Sequence, residues 1–311
     1  MPTSQKFTFP GADGQHAIAC EMFLPDGDTR GIVQVSHGMC EYFGRYRAFA
    51  TTLATHGYLV CGNDHLGHGD SAGNEDDLGY FSPKNGWQNV VQDLHTLTGQ
   101  IRGQYGSKLP YFLFGHSMGS FLARAYTEKY GEELTAAIFC GTGCALPGMD
   151  QLIRVIRGIK NVRGERARSE KIRALAFGSY NKKIPDAKSP NAWLSRDEAV
   201  VTAYDADPHC NFNFTINGYE NLMSVLRHVS RRGWYEAYRR DLPTLLIAGG
   251  DDPVGDYGRG PFRIFSGLSS RGCDVNLTLY GGARHELLNE TNRAEVTRDI
   301  LAFFDAHTAR D

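Results

Sequence analysis

The stretch Leu109–Tyr126, LPYFLFGHSMGSFLARAY, decides the fold. Its YFLF at 111–114 is a short apolar run of the kind that suits a strand buried on both faces. SFLARAYTEKY, from Ser120, has the spacing of an amphipathic helix. Between them lies GHSMG, 115–119. Gly115 and Gly119 lack side chains, so the turn can be tight and Ser117 can project from its apex. G-x-S-x-G alone is weak, but strand, turn and helix in this order are the context of a nucleophile elbow. The new helix also aims its first N–H groups at a developing anion. The competing reading is a glycine-rich turn with a serine cap.

Working outward, apolar runs recur at Ala17–Leu24, Gly31–Ser36, Tyr58–Asn63, Tyr111–Gly115, Ala136–Gly141, Thr244–Ala248 and Val275–Tyr280. Helical patterns fall between most of them, at Tyr46–His56, Trp87–Tyr105, Ser117–Tyr130, Gly258–Ser269 and Ala294–Ala306. Strands alternating with helices imply a mostly parallel sheet with helices on both faces. Ala17–Leu24 precedes the alternation and is read as an antiparallel strand at the sheet edge. Between about Pro147 and Asp241 the alternation stops. This stretch reads as helices and polar loops inserted between two core strands. The expected division is a core of 1–146 and 236–311 with a helical cap of 147–235.

A serine nucleophile needs a base, and the base an orienting acid. Behind such an elbow the chain order is serine, acid, histidine. Among histidines well beyond Ser117, His209 and His228 fall in the insertion and His307 in the last helix. His285, in YGGARHELLNE, follows the last strand in a glycine-rich loop. That is the carboxyl end of the sheet, where open α/β sheets place their sites. The acid should follow the preceding strand, and PTLLIAGGDDPVGD offers Asp251, Asp252 and Asp256, of which Asp252 is the choice. The oxyanion donors expected are the backbone N–H of Met118, after the nucleophile, and of Met39, in SHGMCEYFGRY after an earlier strand.

Composition sets the outer bounds. Of 311 residues, 41% are hydrophobic and 22% charged, as in ordinary soluble globular proteins. A net charge of −2 argues against bulk nucleic-acid binding. No stretch approaches the roughly 20 apolar residues a membrane helix needs. The start, MPTSQKFTFPGADGQ, lacks an apolar signal core, so no secretion by that route is expected. Seven scattered cysteines (Cys20, Cys40, Cys61, Cys140, Cys144, Cys210 and Cys273) without a CxxC pair suit reduced thiols in the cytoplasm.

With these pieces assembled, the sequence resembles the α/β-hydrolases of the monoglyceride lipase, lysophospholipase and serine aminopeptidase-like (S33-type) group. The matching segments are SHGMCEYFGRY, DHLGHGDS (64–71), GHSMG, WLSRD (193–197), DPHCNFNFT (207–215), GGDDPV (249–254) and GGARHELLNE (281–290). The resemblance implies an α/β-hydrolase fold, with a mostly parallel eight-stranded sheet and a helical cap. It implies Ser117 as nucleophile, Asp252 as acid, His285 as base, and Met39 and Met118 as oxyanion donors, with no cofactor and no metal. Many relatives carry a histidine where this chain has Tyr42, which bears on the pocket beside the oxyanion site.

The reading of function is a serine hydrolase of carboxylic esters, with monoacylglycerol or lysophospholipid as substrate and an acyl-enzyme intermediate. One rival is an amidase or aminopeptidase with the same triad, for which Glu198, Asp205 and Glu220 are the carboxylates that could pair with a substrate ammonium. Another is a non-catalytic binding protein on the same fold. Several features keep two readings. His65 and His68 have H-x-x-H spacing but no partner motif, so a loop role is expected rather than a metal. The basic segment 151–173 is a cap helix with a solvated face, or one that meets a membrane or micelle surface. Phe177, Trp193, Phe212, Phe214 and Tyr219 line an acyl pocket or form the cap's own core. Oligomeric state is left open.

Overall fold

The computed structural model describes residues 2–308, and the counts below refer to these. Eight strands form one sheet: β1 (Thr3–Pro10), β2 (Ala17–Leu24), β3 (Gly31–Ser36), β4 (Tyr58–Asn63), β5 (Tyr111–His116), β6 (Ala136–Cys140), β7 (Thr244–Gly249) and β8 (Val275–Tyr280). Their spatial order is β1-β2-β4-β3-β5-β6-β7-β8. β2 pairs antiparallel with both β1 and β4, and from β4 to β8 the pairings are parallel. Ala17–Leu24 is therefore the second strand, not the edge. The edge is β1, which pairs along its whole length from Thr3↔Leu24 to Pro10↔Ala17. β1 carries no continuous apolar run. It exposes Ser4, Gln5 and Lys6 and turns only Phe9 fully inward, as an edge strand facing water does.

Ten helices accompany the sheet: α1 (Arg47–Thr55), α2 (Gly86–Tyr105), α3 (Met118–Tyr130), α4 (Met149–Arg163), α5 (Glu170–Phe177), α6 (Glu198–Ala206), α7 (Ile216–Val229), α8 (Arg232–Ala237), α9 (Arg259–Ser269) and α10 (Arg293–Thr308). Side chains alternate across each strand, so every parallel strand feeds two cores. Val33, Phe114 and Ile247 pack with Phe49 and Leu53 of α1 and with Ile300 and Phe304 of α10. Ile32, Leu113 and Leu246 point the other way, towards α2, α3 and α9. Burying each such side chain is worth about 1.5–3 kcal/mol, which fixes the register of the sheet.

Five of the helices, α4 to α8, lie between β6 and β7. α7 packs on both α3 and α4, joining this helical segment to the helix behind Ser117. Arg124 of α3, fully buried, donates to the carbonyls of Gly143 at 2.9 Å and Val229 at 2.5 Å. It thereby ties down both ends of the segment, and its guanidinium lies 4.4 Å from the centre of the Trp234 ring. α8 runs across residue 235, the expected end of the insertion. No helix among the described residues is long and apolar enough to cross a membrane.

Candidate active site

The topology brings the expected residues to one rim. Met39 follows β3, Ser117 follows β5, Asp252 follows β7 and His285 follows β8, all at carboxyl ends of parallel strands. Ser117 has φ 52° and ψ −122°, a backbone conformation that side chains other than glycine's seldom adopt. Neighbouring contacts impose it. The Ser117 N–H donates to the Cys140 carbonyl at 2.9 Å, and the Ser117 carbonyl accepts the Ser120 N–H at 2.9 Å. A Cβ on Gly119 would run into the Ser36 carbonyl of β3, and one on Gly115 would lie 2.6 Å from the Gly119 carbonyl. The two glycines thus let the elbow press onto the sheet while the serine side chain points away from it.

His285 Nδ1 and Asp252 Oδ2 are 3.0 Å apart, with both side chains buried. The other Asp252 oxygen accepts the Val254 N–H at 2.9 Å. A carboxylate can only accept, so Nδ1 carries the proton and Nε2 the free lone pair, the tautomer a general base requires. Burial disfavours the imidazolium. The charge and hydrogen bond of Asp252, with further charge from Glu286 and Glu41, outweigh burial and hold the His285 pKa above its ordinary value. His116, 4.7 Å from His285 ring to ring, is pushed the opposite way by burial, by His285 whenever that imidazole is protonated, and by the Arg45 cation.

Ser117, Met39, Met118 and His285 border one cavity of about 1010 Å³. Asp252 sits behind His285, outside the lining. In the turn after β3, the Gly38 N–H is committed to Glu41 Oε1 at 2.5 Å. Met39, the next residue in this turn, borders the cavity. Met118 opens α3, so its N–H lies at the positive end of the helix. The opposite wall is largely apolar and comes from the helical segment, with Leu152, Phe177, Tyr219, Leu222, Met223 and Leu226.

The other residues singled out from the sequence separate clearly. Asp251 is exposed, and Asp256 borders the cavity without meeting His285. His228 pairs with Glu128, His209 lies against Tyr42 and His307 donates to the Phe303 carbonyl. Of the five aromatics, Phe177, Trp193, Phe212 and Tyr219 line the cavity. Phe214 is fully buried between His68 and Phe81 and belongs to the core. Tyr42 does not open onto the pocket. Its hydroxyl donates to Asp207 at 3.0 Å and ties the turn after β3 to the helical segment.

His65 and His68 sit in a buried stack with His37. His37 Nδ1 donates to the Gly38 carbonyl at 2.8 Å and its Nε2 accepts the His65 N–H at 2.9 Å, so the ring ties the turn after β3 to the loop after β4.

Two features escaped the sequence reading. Trp193 lies 5.1 Å from His285, ring to ring, and its carbonyl accepts the His285 N–H at 3.4 Å. Glu41, Arg45 and Glu286 form a buried ionic cluster beside His285, with Glu41 and Glu286 at the cavity wall. Signals for the second stood in the sequence. Glu41 and Arg45 are spaced i,i+4, and Glu286 is next to the base.

The chain resembles known proteins along most of its length. The family model for serine aminopeptidase, S33, matches residues 27–292. A monoacylglycerol lipase of Mycolicibacterium smegmatis is 30% identical over 309 residues, covering 98% of each chain. The monoglyceride lipase of Mus musculus is 30% identical over 297 residues, 93% of this chain and 86% of that one. The structure of a thermostable carboxyl esterase from Bacillus coagulans, in complex with glycerol, superposes with a TM-score of 0.93 at 31% identity over 99% of each chain. The chain belongs to the serine aminopeptidase S33 family of α/β-hydrolases.

Proposed function

We propose that the protein is a serine-dependent carboxylic ester hydrolase whose substrates are monoacylglycerols. The observation that carries this reading is the buried His285–Asp252 pair, 3.0 Å apart, on the same cavity as a conformationally strained Ser117. Relatives named as monoacylglycerol lipases and a near neighbour holding glycerol support the choice of glycerol esters.

In this reading Ser117 Oγ attacks the ester carbonyl while His285 Nε2 takes the hydroxyl proton. The Met39 and Met118 N–H groups hold the oxygen as it becomes negative. The tetrahedral intermediate collapses, the C–O bond to the alcohol breaks, and His285 returns its proton to the departing oxygen. Water, deprotonated by the same imidazole, then attacks the acyl-serine; the bond to Oγ breaks, His285 returns the proton to Ser117 Oγ, and the fatty acid leaves. Asp252 keeps its hydrogen bond to Nδ1 throughout and steadies the imidazolium. The chemistry asks nothing of a metal or organic cofactor.

The segment 147–235 acts as a cap on a core formed by 1–146 and 236–311, and its apolar wall receives the acyl chain. Val155, Val162 and Leu175 are 57%, 86% and 68% exposed on its helices. They give the cap a surface for transient contact with lipid aggregates. Arg157 and Lys160 are already tied to Glu220, so apolar contact leads over charge. Seven unbridged cysteines suit a cytoplasmic location. The amide alternative is weaker because its carboxylates are engaged away from the cavity. Glu198 pairs with Lys188, Asp205 with Ser189 and Asn191, and Glu220 with Arg157 and Lys160.

The test is the initial rate of fatty-acid release from 1-monolauroylglycerol, with Ser117→Ala as the blank. A rate that vanishes in the variant supports the reading. Absence of any rate above the blank, alongside cleavage of aminoacyl arylamides, replaces the ester assignment with the amide one.

A further inference from the structure

The Glu41–Arg45–Glu286 cluster, at the wall of the cavity, joins three parts of the site. Arg45, in the turn after β3, donates to Glu286 through two nitrogens, Nη1 at 2.5 Å and Nη2 at 2.7 Å. Nη1 also reaches Glu41 Oε2 at 2.9 Å. The other Glu41 oxygen accepts the Gly38 N–H at 2.5 Å and the Tyr46 hydroxyl at 2.8 Å. Glu286 directly follows the base in the chain. Its carboxylate also accepts from Asn289 at 3.0 Å, and its N–H donates to the Leu194 carbonyl at 2.8 Å. The guanidinium lies 4.9 Å from the centre of the Tyr204 ring on α6. The three charged side chains are at most 12% exposed.

Such a cluster is a poor device for stability alone. Withdrawing three charges from water costs several kcal/mol per ion, and apolar side chains of the same size often do as well. A planar guanidinium, however, fixes two carboxylates in distance and direction as a point charge cannot. One of these carboxylates here grips the oxyanion turn and the other is bonded in sequence to the base. Glu41 and Glu286 border the same cavity as His285, and two carboxylates against one guanidinium bias this side of the site towards negative charge, most of it on Glu286 because burial raises the Glu41 pKa.

We propose that Arg45 is a positioning residue: through Glu41 and Glu286 it sets the oxyanion turn at Gly38–Met39 and the His285 loop in fixed relation, and the excess negative charge steadies the imidazolium during turnover. The proposal rests on the ester-hydrolase reading for its kinetic arm only. The groups facing His285 are Asp252 after β7, Glu286 on its own loop, Glu41 after β3 and His116 at the end of β5, with Arg45 beyond the two glutamates and acting on His116. Asp252 dominates among the charges, so the cluster tunes an imidazole that Asp252 has already oriented.

The experiment compares wild type, Arg45→Lys and Glu286→Gln. The first variant keeps the positive charge and loses the planar fork. The expected result is a kcat lower by on the order of 10–100-fold with KM for 1-monolauroylglycerol within about threefold, because misplaced reacting groups slow chemistry more than binding. Glu286→Gln removes one negative charge at constant shape. The acid limb of its pH–rate profile is expected to move to lower pH, since less negative charge means a less basic imidazole. Arg45→Lys with unchanged kcat, or Glu286→Gln with an unmoved acid limb, overturns the proposal. If Arg45→Lys fails to fold, the Glu286→Gln limb decides. NMR titration of the His285 imidazole in wild type and Glu286→Gln supplies the same answer without a substrate. A wild type that cleaves no ester therefore counts against the functional reading, while the titration still upholds or overturns the clamp.

Discussion

The two walls of the candidate catalytic cavity are built on opposite principles. The wall at the sheet consists of strand ends and tight turns, where Ser117, Met39 and His285 are held by backbone hydrogen bonds and close glycine contacts. The wall from the helical segment consists of side chains such as Phe177, Leu222 and Met223, held by packing. Reacting atoms must be placed to within a fraction of an ångström, and a sheet with eight registered strands can do that. An acyl chain is flexible and weakly directional, and adaptable apolar side chains suffice for it. The difference predicts that changes at the sheet wall lower kcat, and changes at the helical wall alter KM and chain-length preference.

The largest effect tests the first half of that comparison. Ser117→Ala should lower kcat by on the order of 10⁴–10⁶-fold while leaving the melting temperature nearly unchanged, measured by fatty-acid release and calorimetry. Asp252→Asn comes next, with a loss on the order of 10⁴-fold, because an amide at Oδ2 can present a donor to Nδ1 and favours the wrong tautomer. At the helical wall, Phe177→Ala should raise KM for a long-chain monoacylglycerol by about tenfold and leave p-nitrophenyl acetate hydrolysis within about twofold. A kcat loss of equal size on both substrates would erase the distinction between the walls.

The smallest effect lies outside the cavity. Asp93 is buried in α2, with one oxygen accepting the Ala12 N–H at 2.7 Å and the other unpartnered. Burial pushes its pKa up to about 7. The folded chain thus holds a proton that the unfolded chain releases near pH 4, so stability falls as pH rises from about 4 to about 7. Asp93→Asn should raise the melting temperature most at pH 8 and least at pH 4. An equal shift at both pH values would mean that the carboxyl's titration is not the cause.

The sheet wall is legible in the sequence because it depends on local rules. Buried parallel strands are continuous apolar runs, an elbow needs glycines on either side of its serine, and the base must sit in the loop after the last strand. These rules pick out Ser117, Asp252 and His285 on three separate loops, and the fold brings those loops to one rim. β1 is not legible, since an edge strand with one wet face carries residues such as Ser4, Gln5 and Lys6 that mark no core. The helical wall is legible only as composition. Nothing local separates Phe214, buried against His68 and Phe81, from Phe212 two residues earlier, which borders the cavity. The Arg45 cluster lies between these cases. Glu41 and Arg45 are neighbours in sequence, but Glu286 joins them across 241 residues.

The central claim is that Ser117 is the nucleophile activated by His285 and Asp252. The most direct measurement is intact-mass and peptide mapping after treatment with a fluorophosphonate, on wild type, His285→Ala and Ser117→Ala. The account predicts one adduct in the wild type, on the peptide containing Ser117, strongly slowed labelling in His285→Ala, and none in Ser117→Ala. An adduct on another residue, or labelling that proceeds at the wild-type rate without His285, would contradict it.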